Sequence, residues 1–199
     1  MPLFVDQLQR EIHVDEFPKR IISLVPSITE LLADMNLNDE VIGITKFCVH
    51  PESWFKTKIR IGGTKNINFD TIALLQPDLI IANKEENVKE QIELLENIAS
   101  VFITDVNDFD SAIQMIEMIG AVTNKTKIAT SIMQKIKKEF DELELPHKKI
   151  RACYLIWKEP YITIGGDTFI HSMLLKCGLQ NVFENRNRYP QITIEEIKN

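Results

Sequence analysis

Four short runs constrain this chain more than anything else in it: residues 20–25 (RIISLV), 41–47 (VIGITKF), 78–82 (DLIIA) and 101–106 (VFITDV). Each is rich in β-branched and apolar residues and lacks the strict polar alternation of a half-exposed strand. Each therefore predicts a strand buried on both faces. Helical patterns separate them. Pro26 ends the first run, and Ser27 with Glu30 reads as a capping box opening a helix through Met35. Asn68 caps a short helix over 69–75 that Pro77 closes, Asn87 caps another over 88–98, and a further helix covers 109–122. Strands alternating with helices in this way predict a parallel sheet covered on both sides. Residues 4–14 alternate weakly and predict a hairpin or arm, while 48–68, with Pro51 and Gly62-Gly63, predicts a loop.

The stretch 124–145, NKTKIATSIMQKIKKEFDELEL, holds no Gly or Pro, and Pro146 follows it. Ile128, Ile132, Ile136 and Phe140 recur every four residues, with Met133 and Leu143 beside them, so one apolar stripe is predicted to face inward. A helix over the whole stretch is about 33 Å long. Its charges oppose the helix dipole, with Lys125 and Lys127 at the start and Asp141, Glu142 and Glu144 at the end. Packing must hold it, and we read it as a beam.

This reading divides the chain into an N-terminal α/β lobe (1–123), the bridging helix (124–146) and a C-terminal α/β lobe (147–199). The last predicts strands over 150–157 and 161–164 and a helix over 168–177 with Gly178 as its C-cap. Two echoes tie the lobes together. Leu31-Leu32-x4-Leu37-x-Asp39 returns, one residue shorter, as Leu174-Leu175-x3-Leu179-x-Asn181. Ile67-Asn68-Phe69-Asp70-Thr71-Ile72 returns as Ile192-Thr193-Ile194-Glu195-Glu196-Ile197. In the first lobe another βα unit follows the second echo; in the second nothing does. Residues 147–199 are too few to bury a good core alone, so we expect an incomplete second lobe, with self-association as one way to cover it.

Several function classes fall away. A net charge of −6 with no basic stripe argues against a nucleic-acid binder. No run approaches the roughly 18 apolar residues of a membrane span. Asp6, Arg10 and Glu11 stand where a signal peptide needs its apolar centre, so no cleavable export signal is expected, and a cytoplasmic location stands beside an exported one. Three cysteines without CxxC spacing argue against a disulfide framework. Cys48 and His50, one residue apart, are weak metal-ligand candidates, whereas Cys153 and Cys177 read as core cysteines. Ser27 follows a strand, but VPSIT lacks the glycines of a nucleophile elbow, and neither a P-loop nor a G-x-G-x-x-G turn is present. Catalysis is not expected.

The stretches 6–10 (DQLQR), 18–32 (PKRIISLVPSITELL), 42–47 (IGITKF), 68–82 (NFDTIALLQPDLIIA) and 162–183 (ITIGGDTFIHSMLLKCGLQNVF), in this order and with the beam between, resemble the helical-backbone (class III) periplasmic binding proteins. These are the substrate-binding proteins of ABC importers for cobalamin, haem and iron–siderophore complexes. The resemblance implies two Rossmann-like α/β lobes with parallel sheets joined by one long bridging helix, and a cleft that takes a metal chelate for delivery to an ABC permease. It also implies a periplasmic or extracytoplasmic location and no covalent cofactor. A cytosolic chelate-binding module without a transporter is the alternative, and a metal-dependent enzyme a weaker one.

Ligands of open α/β sheets sit beyond the carboxyl ends of the strands. In the first lobe those ends predict Pro26, Ser27, Lys46, Phe47, His50, Asn83 and Lys84 as ligand-binding residues, and in the second lobe Trp157 and Gly166. The loop carrying Gly63, Thr64 and Lys65 lets backbone approach a ligand closely. The resemblance places Pro26-Ser27, Phe47 and Thr64-Lys65 in the cleft. Cobalamin-binding relatives carry large aromatics near the positions of Thr64 and Asn83; this chain does not, and Lys46, Lys65 and Lys84 suit an anionic chelate instead. The resemblance further implies that Asp70 and Glu195, matched in the two copies, dock to arginines of the permease.

Overall fold

The computed structural model describes residues 3–14 and 17–198. Two compact units emerge, one formed by Met1–Asp105 with Met115–Ile132, the other by Val106–Gln114 with Met133–Asn199.

The first unit is built on a five-stranded sheet. Strands β3 (Ile21–Ser23), β4 (Val41–Ile44), β5 (Ile59–Arg60), β6 (Leu79–Asn83) and β7 (Ser100–Thr104) lie in the order β5-β4-β3-β6-β7, every pair parallel. The apolar runs end up where their composition demands. Ile21, Ile22, Leu79, Ile80, Ile81, Ala82 and Phe102 have no exposed surface at all. Each such Ile or Leu contributes about 1.5–3 kcal/mol of burial, which is why the central strands need no polar alternation.

Helices α1 (Pro26–Asp34), α2 (Glu52–Thr57), α3 (Phe69–Leu75) and α4 (Lys89–Leu95) fill the connections. Asn68 caps α3 by accepting from the Thr71 amide at 3.0 Å, as expected. Two other expected caps are absent. The N-cap of α1 is Val25, with Pro26 at N1, so its start rests on the preset φ of proline rather than on a Ser27–Glu30 capping box. Asn87 sits one residue before the N-cap of α4; its Oδ1 accepts from the Asn83 amide and its Nδ2 donates to the Thr64 carbonyl. The region 48–68 is not a bare loop but holds α2 and β5. With six residues and Trp54 alone buried, α2 is too short to show a period.

The arm predicted over 4–14 is the hairpin of β1 (Leu3–Val5) and β2 (Glu11–His13). It runs beside β7, at the sheet's edge, and the Asp6–Arg10 pair stitches it there. The wholly buried Asp6 carboxylate accepts from the amides of Leu8, Arg10 and Ile103 and from the Arg10 guanidinium, which also donates to the Val101 carbonyl. An edge strand covered in this way offers no ladder to a foreign strand.

Two long helices follow. α5 (Phe109–Val122) has the expected bounds. The beam is shorter than 124–145: α6 covers Thr126–Asp141. Asn124 adopts the left-handed conformation that ends the preceding segment (φ 57°), and Asp141, Glu142 and Glu144 oppose the dipole where residues 141–149 are all exposed. Close approach of the two helices in the first unit depends on Gly120, where an added Cβ would lie 2.3 Å from that of Ala129. In the second unit, the Phe109 and Phe140 rings meet edge-on at 4.9 Å.

The second unit has smaller sheets. β8 (Ile150–Ala152) pairs in parallel with β11 (Leu179–Asn181). β9 (Leu155–Trp157), β10 (Tyr161–Thr163) and β12 (Gln191–Ile192) form an antiparallel sheet in the order β12-β10-β9. The run 150–157, expected as one strand, is thus broken at Cys153-Tyr154, because its halves pair with different partners. α7 (Phe169–Lys176) is capped by Thr168 and followed by Gly178 at φ 73°, as expected of a C-terminal glycine. α8 (Ile194–Lys198) closes the described chain. Cys177, expected in the core, is exposed at the end of α7, and Cys153 is half-buried.

Candidate functional site

In the first unit the carboxyl ends of the parallel strands bring several of the expected residues to one edge. Pro26 and Ser27 open α1 there, with Ser27 exposed and its amide lacking an acceptor inside the helix. From β4, the 45–48 turn presents Lys46 and Phe47 outward, and Phe47 is 52% exposed. The Lys46 Nζ lies 5.1 Å from the Phe47 ring centre. The adjoining loop is held to this turn by the bond from the Lys46 amide to the Gly62 carbonyl (2.8 Å).

Gly62 and Gly63 each have a structural reason. Gly62 has φ 101°, and an added Cβ would lie 2.4 Å from the Asn66 carbonyl oxygen. At Gly63 a Cβ would meet the Phe47 ring at 3.1 Å, so the absence of a side chain lets the ring lie against the loop. The Thr64 and Lys65 carbonyls accept from Asn87 Nδ2 (2.9 Å) and Gln91 Nε2 (3.2 Å), which leaves the exposed Lys65 side chain on an anchored backbone. Lys46 and Lys65 pair with no carboxylate among the described residues. Lys84 differs: its ammonium lies 2.6 Å from Asp105, which offsets its charge.

Two sequence candidates have their polar groups taken up by the protein itself. The Asn83 amide is engaged locally, donating to Thr104 Oγ1 and accepting from the Glu85 and Glu86 amides, so it shapes the loop after β6. The Cys48 thiol is fully buried between the hydroxyls of Thr29 and Thr45, 3.1 Å from each, while His50 is exposed. The pair therefore does not present two ligands to one ion. Among the described residues no group of three His, Cys, Asp or Glu side chains fits a metal ion.

The second unit carries its own concavity of about 570 Å³, lined by Asn107, Asp108, Asp167, His171, Ser172 and Arg188 together with Gly166. At Gly166 an added Cβ would lie 2.2 Å from the Glu184 carbonyl oxygen, so the chain's own packing requires a glycine there. The Ser111 hydroxyl and amide hold the Asp108 carboxyl below its ordinary range, so this concavity carries an anion at neutral pH. The sequence reading missed Asn107, Asp108 and Arg188, and no strand-end rule would have found them, since they come from a helix entrance and a loop. Trp157, 62% exposed on β9, is not among the lining residues.

Asp70 and Glu195 are both exposed and are each the second residue of a short helix, α3 and α8. Asn68 caps the first. Thr193 and Glu196 form a reciprocal capping box on the second, each accepting from the other's amide. The echo between 67–72 and 192–197 is therefore one of structure as well as of letters.

Comparison with known proteins places residues 21–199 within the model of the periplasmic binding protein family. An uncharacterised ABC transporter substrate-binding lipoprotein, YvrC of Bacillus subtilis, is 27% identical over 204 residues, covering 96% of this chain and 64% of the relative. A vitamin B12-binding protein of Vibrio vulnificus is 27% identical over 184 residues, covering 90% of this chain and 67% of its own length. The chain thus spans about two thirds of the relatives it matches. Among solved structures, the periplasmic haem-binding protein RhuT of Roseiflexus superposes with a TM-score of 0.77 at 17% identity, over 90% of this chain and 72% of that one. That likeness is one of fold.

Proposed function

Because the chain belongs to the periplasmic binding protein family, we propose that it captures a metal chelate of the iron–siderophore, haem or corrinoid class and delivers it to an ABC permease. The observation that carries this reading is the exposed Phe47 ring at the carboxyl edge of the parallel sheet, with the unpaired ammonium groups of Lys46 and Lys65 on neighbouring segments. An aromatic face stacks on a flat macrocycle or aryl chelator, and unpaired cations attract carboxylates carried by it. Among the three, anionic haem and ferric siderophores fit these groups better than cobalamin. Thr64 and Lys65 supply an anchored backbone beside them.

The deciding experiment is a fluorescence titration with haemin, cyanocobalamin and a catecholate ferric siderophore. Saturable binding of haemin or the siderophore, weakened at least about tenfold by Phe47→Ala, is the expected result. Binding of a sugar or amino acid with none of these three would sink the reading. For delivery, Asp70 and Glu195 are the docking carboxylates in this proposal. Charge reversal at both, to Lys, lowers association with the importer permease in nanodiscs while leaving ligand affinity unchanged; equal association would remove the docking role.

A further inference from the structure

Beneath the Phe47 turn lies a run of four polar side chains, Ser23, Thr29, Thr45 and Cys48, none with any exposed surface. Thr45 Oγ1 and Thr29 Oγ1 each lie 3.1 Å from Cys48 Sγ, Thr29 Oγ1 lies 2.8 Å from Ser23 Oγ, and Ser23 Oγ lies 3.2 Å from the Val25 carbonyl oxygen. Thr29 has three acceptors within reach and one hydrogen to give. The Cys48 sulfur accepts from Thr29 and shares with Thr45 a hydrogen bond in which either atom can donate, Ser23 donates to the Val25 carbonyl, and the single Thr29 hydrogen is divided among the sulfur, Ser23 and the Val25 carbonyl. The run starts at the end of β4 and finishes at the first turn of α1, so it crosses under the segments that present Lys46, Phe47, Pro26 and Ser27.

Geometry makes the two residues at the start of this run special. The Cys48 amide donates to the Thr45 carbonyl at 3.1 Å, which closes a turn. Thr45 and Cys48, its ends, point into the unit, while Lys46 and Phe47, its middle, point out. We propose that Thr45 and Cys48 are positioning residues for the ligand surface: the sulfur pins both ends of the turn and ties it through Thr29 to α1, so that the Phe47 ring is held in one place before a ligand arrives. The functional side of this inference rests on the chelate-binding reading above. Its physical basis is that a buried, fully satisfied polar run specifies one arrangement, whereas a run with a member deleted leaves hydroxyls unsatisfied and the turn free to shift.

The test uses 4-fluorophenylalanine at position 47 in the full chain, in the background of Cys48→Ala, Cys48→Ser and Thr45→Val. Fluorine NMR reports the ring's position, haemin and cyanocobalamin titrations report affinity, and a thermal melt reports stability. In Cys48→Ala and Thr45→Val the single fluorine resonance splits or broadens, and affinity for whichever probe binds falls about tenfold, as for a platform in its competent position a tenth of the time. Cys48→Ser, which keeps a donor and an acceptor, returns both. If the melting temperature drops while resonance and affinity stay as in the parent, the residues are only structural and the proposal fails; it fails equally if Ser does not rescue. Should Cys48→Ala not fold, Thr45→Val decides. Should the parent bind neither probe, the fluorine signal still decides the positioning claim, and the titration counts against the ligand reading alone.

Discussion

The two units put the same kind of residue to opposite use. In the first, the isoleucines and leucines of β3 and β6 are sealed between helix layers, with Ile22 and Ile80 wholly buried. In the second, the apolar residues of β8 and β9 lie open: Ile150 is 54% exposed, Leu155 42%, Ile156 39% and Trp157 62%. Composition alone does not distinguish IISLV from ACYLIW. The difference is the number of layers laid over each strand, and it teaches that a buried-strand pattern states a demand for cover without guaranteeing it. The second unit's order rests more on local devices: the Thr193–Glu196 box, the Thr168 cap, the Gly178 turn, and the Asn181 amide donating to the Ile164 carbonyl at 3.0 Å.

Three substitutions test this contrast, from the largest effect down. Ile80→Ala removes a fully enclosed side chain and lowers unfolding free energy by about 2–5 kcal/mol in a urea melt, while Trp157→Ala changes it by well under that range. Equal costs would mean that something covers β9 in solution. Asp6→Ala strands the amides of Leu8, Arg10 and Ile103 and the Arg10 guanidinium, and costs about 1–3 kcal/mol. Limited proteolysis then cuts the arm first, and an intact arm at the same melting temperature would show that β7 does not need it.

The smallest effect concerns α8. The Thr193 amide, then Arg186, hold the Glu196 carboxyl below its ordinary value, so the carboxylate is stabilised by the folded state. A depressed carboxyl favours folding above its unfolded pKa, and that contribution fades as the pH falls through the folded value. The protection factor of the Ile197 amide against hydrogen exchange therefore falls in acid below the ordinary glutamate range, and Glu196→Gln removes most of that dependence. An unchanged profile would mean that the capping box does not hold the helix.

Much of the fold was legible beforehand, for a local reason. The β-branched runs, the Asn68 cap, the bounds of α5 and the Gly178 turn all depend on residues within a few positions of one another. Misreadings arose where a residue had a distant competitor. Asn87 looks like a cap, yet the Thr64 carbonyl, 23 positions away, takes its amide. The run 150–157 looks like one strand, yet its two halves pair with β11 and with β10. The site divides the same way. Strand-end logic put Phe47 and Lys46 at the carboxyl edge, where they stand exposed, whereas the pairing of Lys84 with Asp105 and the bond from Asn83 to Thr104 depend on β7 lying beside β6.

By itself, then, the sequence determined the central strands and most of the helices of the first unit, and that four of the strands must be buried in a parallel sheet, since period, capping and crossover rules act along the chain. Only the tertiary structure decided which lysines keep an unpaired charge, which glycines the chain's own packing requires, and that Cys48 is a buried link between Thr29 and Thr45. Those outcomes depend on atoms brought within hydrogen-bonding or van der Waals range across long loops, and no local pattern encodes that distance.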